Sequence, residues 1–88
     1  MVEVKKFSAS WCGPCRTLSP VINEVKSQFN NVKFSDHDVD EDFEVANQFG
    51  IRSVPTVVFL KDGVEIDRVM GLSSKNTYVK IINEAVNQ

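Results

Sequence analysis

The sequence predicts one α/β domain over residues 1–88, arranged βαβ then ββα, with a four-stranded mixed sheet and helices on both faces. Three observations support this fold class. The length of 88 residues suits a single small domain. Segments with strand-like patterns alternate with segments whose apolar residues recur every three or four positions. Turn-forming residues separate them, without a linker, repeat or low-complexity stretch.

A strand and a long helix are expected at the start. Residues 2–7 alternate, which places Lys6 on the same face as two valines. A helix should follow over about residues 14–30, because apolar positions 18, 22, 25 and 29 form one stripe. Pro20 should bend this helix from within.

Residues 32–37 are predicted to form the second strand. Asp36 shares a face with Val32 and Phe34, so it should point toward apolar surface. His37 falls on the opposite face and is expected to be exposed to solvent.

A short helix is expected to follow Asp40, which is a good N-cap residue. Phe43, Ala46 and Phe49 would then face inward, and Gly50 would end the helix.

The last part of the chain is predicted to be a hairpin and a helix. Residues 56–60 are β-branched and aromatic without alternation, which is typical of a central strand covered on both faces. Asp62 and Gly63 form a hairpin turn signal before a returning strand over 64–70. Ser74 should cap a final helix with apolar positions 78, 81, 82 and 85.

Composition limits the classes of function. Hydrophobic residues make up 42% and charged residues 25%, as in soluble globular proteins. No apolar run could span a membrane and the N-terminus lacks the apolar segment of a signal peptide, so we expect a cytoplasmic protein without membrane contact. We also expect a monomer. A net charge of −2 argues against nucleic acid as a partner. Two cysteines are too few for a disulfide scaffold and indicate redox chemistry in a reducing compartment.

The acidic residues are concentrated in residues 36–44, which contain six acids and no Lys or Arg. They are Asp36, Asp38, Asp40, Glu41, Asp42 and Glu44. We interpret this run as a solvated turn and a helix start, in preference to a metal site or a docking patch. It lacks the glycine and the terminal glutamate of a calcium loop.

Cys12 and Cys15 flank Gly13-Pro14 where the first strand meets the first helix. Residues three apart share a helix face with Cβ atoms about 5–6 Å apart, so a small adjustment reaches the roughly 3.5–4.5 Å of a disulfide. So short a ring stabilises a fold poorly. The spacing therefore favours a disulfide that is formed and reduced reversibly over one that stabilises the fold.

Cys12 is the expected nucleophile. The unpaired N–H groups and the dipole at the helix start favour its thiolate, so its pKa should lie below the free-thiol value of about 8.5. Cys15 should be more buried and act as the resolving thiol. Gly13 gives the backbone room to turn, and Pro14 fixes the first helical turn. The alternatives are half of a zinc site, completed by His37 and carboxylates, and two inert cysteines.

The segment W-C-G-P-C at residues 11–15, directly after a strand, resembles the active-site signature of the thioredoxin family. Further matches follow in order: Pro20, Asp40, residues 49–56, residues 61–63 and Gly71. The resemblance covers essentially the whole chain and implies the thioredoxin fold. Thioredoxins usually have one more strand and helix upstream, so the chain resembles a short form with four strands in place of five.

The resemblance implies a protein disulfide reductase with a redox-active Cys12–Cys15 disulfide. It also implies an apolar substrate-binding surface and a cis peptide bond before Pro55. The residues of that surface are Trp11, Val54, Pro55, Met70 and Gly71. Val54 would offer its backbone to an extended target segment. The alternative is that Val54 and Met70 are ordinary core residues.

Lys6 and Asp36 depart from the family pattern. Thioredoxins usually carry a buried aspartate at the position of Lys6 and a lysine at that of Asp36. The strand pattern independently points both charges toward apolar surface, where each needs a partner. We hypothesise a buried or half-buried pair beneath Cys15, in which Lys6 stabilises the thiolate and Asp36 or a water takes the proton. The alternative is that Lys6 extends to solvent.

The resemblance also implies partners. These are disulfide-containing target proteins, an NADPH-dependent thioredoxin reductase as the electron source, and ribonucleotide reductase as one recipient. No cofactor and no metal are expected in the chain itself. A non-enzymatic binding subunit that uses the same apolar surface is the alternative function. An oxidase role is disfavoured, because the dipeptide Gly13-Pro14 matches that of reductants.

Overall fold

The computed structural model describes all 88 residues and contains four strands and three helices. The elements are β1 (Val2–Ser8), α1 (Gly13–Lys26), β2 (Lys33–Asp38), α2 (Phe43–Gln48), β3 (Thr56–Lys61), β4 (Val64–Met70) and α3 (Lys75–Val86). This order confirms the predicted βαβ–ββα arrangement. None of the three helices combines the length and the apolar character needed to cross a membrane.

The sheet is mixed, as the sequence predicts, with strand order β2-β1-β3-β4. Strand β1 runs parallel to β2 and antiparallel to β3, and β4 runs antiparallel to β3. Strands β1 and β3 are therefore central, and β2 and β4 form the edges. The end of β1 leads directly into the turn before α1.

Helices cover both faces of this sheet. Helices α1 and α3 pack on one face with Val4, Val57 and Phe59, whereas α2 packs on the other with Phe7 and Val58. Residues 57–60 of β3 thus alternate between two apolar clusters, which explains their unbroken hydrophobic character. The prediction of helices on both faces is confirmed.

Helix α1 ends at Lys26, four residues before the predicted end. The N–H groups of Gln28 and Phe29 bond to carbonyls three residues back, which marks tight turns beyond the helix. Phe29 still packs against the larger core cluster. Because Phe29 is apolar and lies at helical spacing, the sequence pattern included it in the predicted helix, although it reaches the core from a turn. Pro20 lies inside the helix as predicted.

Helix α2 begins later than predicted. Its N-cap position is Asp42, and the N–H groups of Glu41 and Asp42 bond to the carbonyl of Asp38, so a turn precedes the helix. Phe43 is consequently 69% exposed, and its predicted inward placement is wrong. Ala46 is buried as predicted.

The expectation that His37 is exposed is also wrong, because α2 packs over its side of the sheet. Its side chain is 13% exposed and stacks on Phe7 with ring centroids 5.1 Å apart. Its ring nitrogens lie 3.0 Å from Ser35 Oγ and 3.0 Å from Asp42 Oδ2.

The hairpin and the last helix follow the sequence prediction. Asp62 and Gly63 have φ angles of 52° and 84°, the left-handed conformations that such a two-residue turn requires. Ser74 occupies the N-cap position of α3. Tyr78 and Ile82 of α3 are buried against the sheet.

Replacing Tyr78 with phenylalanine is expected to leave the free energy of unfolding unchanged or to raise it by up to about 1 kcal/mol. The buried hydroxyl has no hydrogen-bond partner. Burial raises the pKa of Tyr78, and the nearby backbone of Ser73 offsets only part of this. The Tyr78 hydroxyl thus keeps its proton to a higher pH in the folded state than in the unfolded chain.

Wild-type stability should therefore fall as the pH rises above about 10, the ordinary tyrosine value, and onward through the raised pKa of the folded state. The phenylalanine variant should lack this component of the decline. Urea unfolding of both proteins across this range tests the prediction. A clear loss of stability in the variant at neutral pH would contradict it.

Candidate active site

The two cysteines lie where β1 turns into α1. Cys12 is the N-cap of α1, with the extended backbone angles φ −93° and ψ 109°. Its Sγ accepts the backbone N–H of Cys15 at 3.2 Å, and its own N–H donates to the carbonyl of Ala9 at 3.1 Å. Pro14 lies in the first turn. The predicted placement of Cys12 at the start of the helix is confirmed.

Cys12 and Cys15 form a disulfide, with Cα atoms 5.3 Å apart. Both residues are 4% exposed, so the prediction that Cys15 is more deeply buried is wrong in this oxidised form. Ala9, Val39 and Val54 pack around them. Gly13 and Pro14 lie exposed between the two cysteines.

The surroundings of Cys12 favour an anion over a neutral thiol. One free backbone N–H of the helix start already points at its sulfur, and the helix dipole acts in the same sense. The first turn of α1 contains no acidic residue that would oppose this. The guanidinium of Arg16 donates to the carbonyl of Ser10 at 2.9 Å. Its positive charge therefore lies beside the loop that precedes Cys12.

Residues from two further segments meet near this end of the sheet. The peptide bond between Val54 and Pro55 is cis, as the family resemblance implies. The carbonyl of Pro55 accepts the N–H of Gly71 at 2.8 Å, which joins the loop before β3 to the end of β4. Gly71 has a φ of 81°, where a side chain would be strained. Met70 is exposed and Val54 is half-buried.

Trp11 is exposed beside the cysteines, and its Nε1 donates to Asp40 Oδ2 at 2.9 Å. A cleft of about 130 Å³ opens next to it. Its lining residues are Trp11, Val39, Ile51, Arg52, Ser53 and Val54. Sequence reasoning missed Asp40 as the partner of Trp11, since only the fold brings these residues together. It also missed Val39 and Ile51, whose apolar character gives no sign of a position in a cleft.

Lys6 and Asp36 are paired, on the opposite face of the sheet from His37. Lys6 is 7% exposed and its Nζ lies 3.3 Å from Asp36 Oδ1. The Asp36 side chain is 76% exposed, so the expectation that apolar surface covers it is wrong, because β2 is an edge strand. Lys6 also donates to Ser19 Oγ at 2.9 Å, and Ser19 donates to the carbonyl of Cys15 at 3.1 Å. Sequence reasoning missed Ser19. No group of three or more His, Cys, Asp or Glu side chains is arranged to hold a metal ion.

Comparison with known proteins agrees with this architecture. The thioredoxin family model matches residues 2–84. A thioredoxin of Chlamydia caviae is 38% identical over 78 residues, which cover 89% of this chain and 76% of that protein. Thioredoxin 1 of Synechococcus elongatus is 42% identical over 79 residues, which cover 89% and 74%. The crystal structure of a thioredoxin from Nicotiana alata superimposes with a TM-score of 0.90 at 40% identity, covering 96% of this chain and 72% of that one.

The fold, the disulfide at the start of α1 and these relatives lead to one assignment. Each relative is matched over most of its length as well as over most of this chain. The chain belongs to the thioredoxin family and is a thiol–disulfide oxidoreductase built around the Cys12–Cys15 pair.

Proposed function

We propose that the chain is a general protein disulfide reductase that acts through Cys12-Gly13-Pro14-Cys15. The Cys12 thiolate attacks one sulfur of a target disulfide, and the other target sulfur leaves as a thiolate that takes up a proton. Cys15 then loses its proton and attacks Cys12 in the mixed disulfide. The second target thiol is released with that proton, so two electrons pass to the target and the Cys12–Cys15 bond forms.

One observation carries this proposal: the Sγ of Cys12 is the N-cap acceptor for the N–H of Cys15. The same backbone group remains available to the thiolate once the disulfide opens. A thiolate stabilised in this way, yet still basic enough to react near neutral pH, is close to the optimum for attack on a disulfide. The second sulfur lies one helical turn away and can complete the exchange.

The exposed side chains around the disulfide support a protein as the substrate. Trp11 and Met70 are large, apolar and exposed, as expected of a docking surface and not of a core. Val54 lines the cleft together with Trp11, and its backbone could pair there with an extended target segment. Gly71, with no side chain, leaves space for such a segment to approach.

The partners and location follow from the family. We expect an NADPH-dependent thioredoxin reductase to restore the dithiol, and ribonucleotide reductase to be one recipient of electrons. A reducing cytoplasm is the compartment in which a reductase of this kind would operate.

The test is reduction of a model protein disulfide coupled to NADPH oxidation, with several thioredoxin reductases and a glutathione system run in parallel. We expect turnover with at least one thioredoxin reductase. Absence of protein disulfide reduction by the chemically reduced chain, at stoichiometric concentration, would rule the proposal out.

The alternative is a binding subunit that uses the same apolar surface, since Trp11 and Met70 are large, apolar and exposed, and docking on them requires no cysteine chemistry. The double variant Cys12→Ser, Cys15→Ser separates the two functions. A binding role would survive this double replacement, whereas a reductase role would be lost.

A further inference from the structure

Lys6 is the only charged residue that this fold buries. It lies on central strand β1, opposite Asp36 on β2 and Val57 on β3. Its aliphatic neighbours belong to the face of the sheet covered by α1 and α3. Burying an ammonium group is expensive unless it is paired and hydrogen-bonded, so the contacts of its Nζ determine what the charge does.

The Nζ of Lys6 has one charged partner and one neutral partner. The charged partner, Asp36, is largely in water, where solvent and salt screen its carboxylate. The neutral partner, Ser19, accepts from Lys6 and donates to the carbonyl of Cys15. The buried ammonium is therefore one hydroxyl group away from the backbone of the second cysteine of the disulfide.

The other elements packed around Lys6 add no buried negative charge. Lys26 of α1 lines the same small cavity as Lys6 and Asp36. Strand β3 contributes the apolar Val57. Asp36 and Lys26 are therefore the charged groups that face Lys6, and the buried charge that the Ser19 hydroxyl links to the backbone of Cys15 is positive.

We propose that Lys6 is a positioning residue for the resolving step: through Ser19 and its own field it favours the thiolate of Cys15. The inference rests on the proposed disulfide exchange and deepens it. In that step Cys15 loses its proton and forms a bond to Cys12, and the bond between Cys12 and the target breaks. The departing target sulfur takes up a proton, and Lys6 takes no part in proton transfer.

Lys6→Met is expected to slow the resolving step about tenfold at neutral pH, because a nearby unit charge in a partly buried site shifts an ionisation by that order. The rate should recover at alkaline pH, where Cys15 ionises without help. The rate of this step should thus rise at a higher pH than in the wild type, with little change in the plateau that it reaches at alkaline pH.

Stopped-flow reaction of the reduced protein with a symmetric nitrobenzoate disulfide separates the two steps. Attack by Cys12 releases one coloured thiolate, and attack by Cys15 releases the second. The matched control is Lys5→Met, since Lys5 is adjacent on β1 but pairs with Glu3 on the other face. Its second phase should match that of the wild type at every pH.

Asp36→Asn provides an independent arm that does not disturb the core, because this side chain is mostly exposed. Removing the negative partner should speed the second phase at neutral pH by about twofold to threefold, the opposite direction from Lys6→Met. If Lys6→Met does not fold, the second-phase rate of Asp36→Asn tests the inference by itself.

The inference would be overturned if the second phase of Lys6→Met were as fast as that of Lys5→Met. It would also be overturned if the rate of that phase fell by the same factor at all pH values. An Asp36→Asn variant that is unchanged or slower would overturn it as well. These results are distinct from failure of the proposed function, in which the wild type would complete both phases with the small disulfide but would not reduce a protein disulfide.

Discussion

A Cys15→Ser variant is expected to lose disulfide reductase turnover by about three orders of magnitude or more and to remain covalently joined to its targets. Cys12 still has the backbone N–H at the start of α1 and can attack a target disulfide. Serine at position 15 offers no sulfur to release the mixed disulfide. Non-reducing electrophoresis and intact mass should show a one-to-one adduct that dithiothreitol removes.

Cys12→Ser is the matched control for the trapping experiment. Serine is a good N-cap residue, so α1 should keep its first turn and the variant should remain folded. It should form no adduct, because serine at position 12 cannot attack a disulfide and Cys15 is buried in the first turn of α1. Adducts that form as readily with Cys12→Ser as with Cys15→Ser would refute the assignment of Cys12 as the nucleophile.

Phe59→Ala is expected to lower the free energy of unfolding by about 3–5 kcal/mol. Phe59 is fully buried on central strand β3, and its ring packs near that of Tyr78 with centroids 6.4 Å apart. Removing the ring leaves a cavity in the larger apolar cluster. A domain of this size has a total stability of roughly 4–13 kcal/mol, so this loss should remove a large share of it.

Urea unfolding of the oxidised protein tests this prediction, with Phe43→Ala as the control. Phe43→Ala removes a ring of the same size from an exposed position at the start of α2. The free energy of unfolding should therefore change by no more than about 0.5 kcal/mol. A similar loss in the two variants would contradict the placement of the two rings.

The parts of the fold that a local pattern can specify were predictable from the sequence. Leu18, Ile22 and Val25 recur at helical spacing because one face of α1 packs on the sheet. The unbroken apolar run in β3 reflects its two covered faces. The cysteine pair was predictable for the same reason, because both residues lie within one helical turn and the spacing alone brings their sulfurs together.

Features that depend on how distant elements pack were not predictable. The carbonyl of Asp38 holds the turn before α2, so this helix starts at Phe43 and exposes that ring to solvent. His37 is covered because α2 crosses its face of the sheet. Alternation assigned His37 to the correct face of its strand but could not tell that a helix lies there.

The candidate site shows the same division. Only the family resemblance linked Pro55 and Gly71 to the cysteines, since both lie far from Cys12 and Cys15 along the chain. Their link to each other, the hydrogen bond from the Gly71 N–H to the Pro55 carbonyl, forms beside the paired ends of β3 and β4. The pattern in β1 and β2 predicted that Lys6 and Asp36 need partners. It could not supply Ser19, which reaches Lys6 from α1.

The two outer strands have a consequence for self-association. Strand β2 carries Lys33, Asp36 and Asp38, and β4 places Glu65 and Asp67 among its exposed valine and isoleucine residues. A register shift between Phe59 and Leu60 also interrupts the β3–β4 ladder. Charges and irregularities of this kind keep open strands from pairing with a second molecule. This thiol–disulfide oxidoreductase is therefore expected to reach high concentration without assembling into fibrils through its sheet.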